Sequence, residues 1–174
     1  MGTELDATEE ETFAAVGLAL TRWESMEASL ADLYSVFCGA PFDRRVVVFF
    51  GHQYGTTVRR LTGLSDAANR FFRRWPDQDR EHAFDTLRRT AEKLSLDRHR
   101  IAHGLVDRVT FAFPEGGGVT GFALVAPWYS ETRLRFTSRD AWGSAAIVGV
   151  SDQFVTLDRS VRAFCFSILS DGAH

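Results

Sequence analysis

The chain has 174 residues, 45% of them apolar, with 23 acidic against 20 basic side chains and a formal charge of −3. That is the usual size of one domain, 1–174, with enough apolar content for one hydrophobic core. No apolar run approaches the roughly 20 residues that span a bilayer, and Met1 to Asp6 is acidic where a secretory leader would be basic. A cytoplasmic protein without membrane association is expected. Cys38 and Cys165 lie far apart with no Cys-x-x-Cys partner, which argues against a disulfide framework or a thiolate zinc site. Both are expected as buried thiols.

Glu4, Asp6, Glu9, Glu10 and Glu11 all precede the first basic residue, Arg22, so residues 1–8 read as an acidic N-terminal tail. Between Arg59 and Arg108 the balance reverses, with twelve basic against eight acidic residues. An excess of that size attracts a polyanion if the side chains share a face. Lys93 is the one lysine, and Arg suits bidentate phosphate contact better than Lys does; a preference for Arg codons accounts for the same count.

Thr8-Glu9-Glu10-Glu11 reads as a capping box that opens a long amphipathic helix. Phe13, Val16, Leu20, Trp23, Leu30, Tyr34 and Phe37 form its apolar stripe, and Gly39 with Pro41 stops it. Asp43 is expected to cap a second helix that runs to Trp75, with Gly51 and Gly55 inside it. Asp77 or Asp79 caps a third, with Phe84, Leu87, Ala91, Leu94 and Ile101 facing inward. Arg98 occupies the next place in that series, and a charge on an apolar stripe marks functional or interface positions preferentially.

After Gly104 the period becomes alternating, with Val109, Phe111 and Phe113 on one face, a Pro114 to Gly118 turn, and Val119 to Ala126 returning. A β-hairpin insertion is therefore expected over 105–140, with Thr132 to Thr137 as a third short strand. Residues 138–150 carry no clear period. Ser151 or Asp152 is expected to cap a last helix bearing Phe154, Leu157, Val161, Phe164 and Ile168. The fold class is mainly α: a bundle of about four helices with a small antiparallel hairpin before the last.

Arg98, polar His99, three further residues and then His103 before Gly104, at the end of a helix in a bundle, resembles the HEPN family. The resemblance covers roughly residues 10–104 and 151–170, with the hairpin as an elaboration. In that family an Arg-polar-x-x-x-His signature marks metal-independent RNA endonucleases. The resemblance implies Arg98 and His103 as the catalytic pair, His99 as the supporting polar residue, and a site composed from two protomers of a homodimer. It further implies RNA as substrate, a separately encoded antitoxin or partner protein, and work in toxin or phage-defence settings. His99 departs from the Asn or Asp often found at its position. The chemistry suits the residue types: cleavage by the 2′-hydroxyl needs a base, an acid and a cation on phosphorus. Imidazole titrates near neutrality, and Arg clamps phosphate in fork geometry.

Other readings of the same residues stay open. Arg98 is a structural cation if Glu92 or a neighbour of Asp97 satisfies it, and His103 at a helix end complements the dipole. His99 and His103 stand four apart, a spacing compatible with two metal ligands, but a third would have to be Asp107 or Glu92, neither at comparable spacing. No metal or other cofactor is expected. The family also contains non-catalytic dimerisation or ligand-binding modules that act with a separate partner. Gly116 to Gly118 reads as a hairpin tip rather than a phosphate loop; Trp23, Phe71, Phe72 and Trp75 as core rather than base-stacking platforms; and Arg70, Arg73 and Arg74 as a solvated face. His52 and His82 have no local partner that marks them as catalytic.

Overall fold

The structure is a computed structural model and describes residues 8–39, 49–50, 56–112, 117–127 and 140–170. Among them are four long helices and one hairpin: α1 (Glu9–Cys38), α2 (Thr57–Arg74), α3 (Gln78–His103), β1 (Leu105–Ala112), β2 (Gly118–Val125) and α4 (Ser144–Ser170). This is the expected mainly α architecture, a helical bundle with an antiparallel hairpin before the last helix. No helix among the described residues is long and apolar enough to cross a membrane.

Local chemistry sets the helix ends. At the start of α1 the Glu11 N–H donates to Thr8 Oγ1 at 3.2 Å while the Thr8 N–H donates to Glu11 Oε2 at 2.8 Å. Two backbone donors are thereby satisfied reciprocally. Gly39 closes α1 with φ +57° and donates its N–H to the Val36 carbonyl at 3.1 Å. A side chain there would cost roughly 1–2 kcal/mol in the left-handed region, so glycine is the natural stop. Thr56 caps α2 by accepting the Arg59 N–H, and Asp77 caps α3 by accepting the Arg80 N–H at 3.0 Å. Asp43, Gly51 and Gly55, expected in the second helix, lie outside the described residues; Phe49 and Phe50 are helical.

Three expectations are corrected. The second helix does not run unbroken from Asp43 to Trp75: Thr56 is extended, with φ −121° and ψ 152°, and caps a helix that begins at Thr57. The buried face of α1 includes Thr12, Ala15, Ala19, Trp23, Met26, Leu30 and Phe37, while Phe13 is 54% exposed. Thr12 can sit inside because its hydroxyl donates to the Thr8 carbonyl at 3.0 Å, so burial strands no polar group. The last helix begins at Ser144, not at Ser151 or Asp152. Those two side chains instead receive Arg22, whose Nη1 donates to Ser151 Oγ at 3.1 Å and to Asp152 Oδ1 at 2.6 Å.

The chain forms two compact units: Trp23–Ser95 with Phe154–His174, and Met1–Arg22 with Leu96–Gln153. In the first, Phe37 of α1 is an aromatic hub, with ring centroids 5.3 Å from Phe71 and 5.7 Å from Phe72 of α2, 5.2 Å from Phe84 of α3 and 6.4 Å from Phe164 of α4. Tilted and edge-on contacts of this kind add about 0.5–1.5 kcal/mol each beyond simple burial. Glu27, 1% exposed, is held in the same unit by Arg60 at 2.7 Å and the Thr57 hydroxyl at 3.2 Å.

In the second unit β1 and β2 pair antiparallel from Leu105↔Val125 to Ala112↔Gly118. Val109 and Phe111, expected on one face, pack with Val119 against buried Ala123, Val125 and Ala141. Phe113 and the proposed third strand, Thr132 to Thr137, lie outside the described residues. A bridge between Leu124 and Trp142 extends the pairing beyond β2, with N–H···O distances of 2.9 and 3.0 Å.

Candidate functional site: the C-terminal turn of α3

At about 100° per residue, α3 sets His99 and His103 roughly 40° apart, Arg100 roughly 60° beyond His103, and Arg98 roughly 140° from His103. The side chains follow this order. His99 and His103 are both exposed, and their ring centroids are 4.4 Å apart with planes tilted by 49°. No hydrogen bond joins either imidazole to another described residue. The two residues stand one helical turn apart on the exposed side of the helix.

Arg98 continues the inner stripe through Leu94 and Ile101, which are 3% and 1% exposed; it is itself half-buried, with its Nε enclosed. Glu92, one ion partner considered for it, accepts from Arg88 at 3.0 Å. Within one chain Arg98 and His103 therefore do not converge.

The arginine nearest His103 around the helix is Arg100. Its guanidinium lies over the Trp142 ring at 4.2 Å from the centroid, and its Nη2 donates to the Asp140 carbonyl. Burial draws its pKa below the usual arginine range, opposed by the charges of Asp140 and Asp97. Arg100 thus ties the segment before α4 to the end of α3. The sequence reading missed this role, because both partners lie some forty residues downstream and no local spacing announces them.

Gly104 follows His103 at the start of the hairpin. It lacks the positive φ that a left-handed cap would need; its constraint is room. A Cβ built there would meet Leu124 Cδ1 at 2.7 Å and the Arg100 carbonyl oxygen at 2.9 Å. The turn carrying His103 consequently packs directly on β2.

Asp107 Oδ1 accepts its neighbour's backbone N–H, from Arg108, at 2.8 Å, and Glu92 is engaged by Arg88. Among the described residues no group of three or more His, Cys, Asp or Glu gathers as a metal-binding cluster. Elsewhere, an open cleft of about 420 Å³ is lined by Asp66, Asn69, Arg70, Phe72, Arg73 and Glu81, where acids offset the arginines. Arg70, Arg73 and Arg74 are exposed, as the solvated-face reading requires, whereas Trp23, Phe71 and Phe72 are core. Trp75 is half-buried under Arg74, whose guanidinium stands 4.5 Å above the ring. His82 is exposed, and His52 lies outside the described residues. Cys38 and Cys165 are free thiols, half-buried rather than buried. Burial, reinforced by Asp32 and opposed by Arg162, pushes the Cys165 thiol up to about 12, unsuited to nucleophilic work.

Comparison with protein-family models, with curated proteins and with solved structures finds no match.

Proposed function

We propose that the chain is a HEPN-like, metal-independent RNA endonuclease acting as a homodimer, with Arg98 and His103 from two protomers forming the site and His99 in support. The observation that carries this reading is the exposed imidazole pair at the end of α3, with ring centroids 4.4 Å apart. The roughly 140° between Arg98 and His103 supports a composite site, since a phosphate held by both would have to draw them from different copies. In such a site one imidazole removes the proton of the 2′-hydroxyl and O2′ bonds to phosphorus. The P–O5′ bond then breaks as a second imidazole protonates the leaving oxygen, while the guanidinium offsets the charge gathering on the phosphoryl oxygens. The products are a 2′,3′-cyclic phosphate and a 5′-hydroxyl. The family resemblance suggests a toxin or phage-defence setting with a separately encoded partner.

A second reading, a non-catalytic HEPN-like dimerisation or ligand-binding module acting with a separate partner, draws on the half-burial of Arg98 and its enclosed Nε. A paired cleavage assay and thermal melt separates the two. On the nuclease reading, RNA is cut in EDTA, DNA is untouched, and His103→Ala loses about two to four orders of magnitude in rate with an unchanged melt. Light scattering then reports about twice the 19.5 kDa chain mass. A parent that cuts no RNA, with a sharply lower melting temperature for Arg98→Ala, leaves the binding module as the better account.

A further inference from the structure

We infer that His99 and His103 form a two-imidazole chelate for a late first-row divalent metal ion, Cu²⁺ foremost, and that such an ion inhibits the chain. The two rings stand on one face of α3 with centroids 4.4 Å apart, both exposed. An imidazole nitrogen takes such a metal at about 2.1 Å, and the ring centre lies about 1.1 Å behind it, so two rings bound at right angles have centroids about 4.5 Å apart. The observed centroid separation matches the length that adjacent sites on a square-planar or octahedral ion require, so binding needs the rings turned but not moved apart. A tetrahedral ion opens the angle and needs the centroids about 5.2 Å apart, a small further rotation of the rings.

The surroundings support a soft-to-borderline ion held by nitrogen and completed by water. Glu92, on the same face of α3, accepts from Arg88 at 3.0 Å. Leu96, also on this face, is 72% exposed and offers no oxygen. Hard ions such as Mg²⁺ and Ca²⁺ select carboxylate and carbonyl oxygen, and no cluster of three or more His, Cys, Asp or Glu stands among the described residues, whereas imidazole suits Cu²⁺, Ni²⁺ and Zn²⁺, with Cu²⁺ first in affinity. A bound ion occupies the ring lone pairs through which these imidazoles would accept protons. The inhibitory consequence rests on the reading of His99 and His103 as site residues for RNA cleavage; the binding does not.

The test is calorimetric titration of the untagged full-length chain with CuCl₂, repeated with MgCl₂. The parent is expected to bind one Cu²⁺ per chain through this pair. His99→Ala and His103→Ala each weaken that event by about 100-fold, because the second ring no longer acts intramolecularly. His82→Ala leaves it unchanged, and Mg²⁺ gives no heat. No Cu²⁺ binding in the parent, or binding that neither His99→Ala nor His103→Ala weakens, overturns the site. In the cleavage assay Cu²⁺ stops the parent and EDTA restores it; cleavage that persists at saturating Cu²⁺ overturns the inhibition. A parent that binds Cu²⁺ through both rings yet cuts no RNA upholds the chelate and removes the nuclease reading.

Discussion

Gly104→Ala tests whether the end of α3 is packed as described. The added Cβ would lie 2.7 and 2.8 Å from the Cδ1 and Cγ atoms of Leu124 and 2.9 Å from the Arg100 carbonyl oxygen. Neither neighbour can yield cheaply. Leu124 is 1% exposed and its backbone is pinned by two hydrogen bonds to Trp142, while the Arg100 oxygen belongs to the helix and accepts the Gly104 N–H at 2.9 Å. Overpacking of this order costs about 1–3 kcal/mol, less a few tenths recovered from the reduced entropy of the unfolded chain. For a chain of this size that lowers the melting temperature by roughly 2–10 °C. Thermal melts followed by circular dichroism would report it. Leu124→Ala alone should cost about 2–5 kcal/mol by opening a cavity, but combined with Gly104→Ala it should cost about 1–2 kcal/mol less than the sum, because the clash is then absent. A Gly104→Ala chain that melts at or above the parent, or additive costs in the double variant, would refute the close approach.

Two further predictions concern charges held against the helical core, Asp32 half-buried and Glu27 buried. Burial raises the Asp32 carboxyl above its ordinary range, with Arg162 opposing and Asp158 adding to the shift. The folded chain therefore holds this proton more tightly than the unfolded chain, so the contribution of Asp32 is fully present below the ordinary carboxylate pKa and is lost as pH rises through the folded value. Asp32→Asn should accordingly be more stable than the parent at neutral pH, with the advantage vanishing near about pH 3; an advantage that is absent at neutrality, or constant across that range, would contradict the assignment. Arg60→Ala leaves the carboxylate of Glu27, 1% exposed, without the guanidinium held at 2.7 Å, and urea unfolding should show a loss of about 3–5 kcal/mol. Adding Glu27→Gln should restore part of that loss, and no restoration would mean that Arg60 acts through packing alone.

What the sequence disclosed were features whose cause is local. Thr8 and Glu11 announce their capping box because partners three residues apart are fixed by helix geometry, and Gly39 announces its stop because a left-handed residue favours glycine. The spacing of Phe84, Ala91, Leu94 and Ile101 gives the inner face of α3 correctly, with Arg98 on it. Phe13 was misplaced because hydrophobicity alone ranks phenylalanine above threonine, whereas Thr12 is buried at little cost once its hydroxyl meets the Thr8 carbonyl. Ser151 and Asp152 have the chemistry of caps, but Arg22 uses it from 129 and 130 residues away, and α4 starts earlier, on Ser144-Ala145-Ala146. At the candidate site, the adjacency of His99 and His103 follows from their spacing. The link from Arg100 to Asp140 and Trp142 does not, since folding alone brings those residues together.

The raised thiol on α4 bears on the chemistry the chain can survive. With a pKa of about 12, Cys165 holds only about one part in 10⁵ as thiolate at neutral pH, against a few per cent for an ordinary cysteine. The thiolate is the form that attacks peroxide and disulfides, so its scarcity slows both reactions, offset in part by the greater nucleophilicity of a high-pKa thiolate. Cys165 thus serves as a small polarizable packing group beside Asp32 and Arg162. An oxidant that modifies ordinary exposed thiols should therefore reach this stretch of helix more slowly.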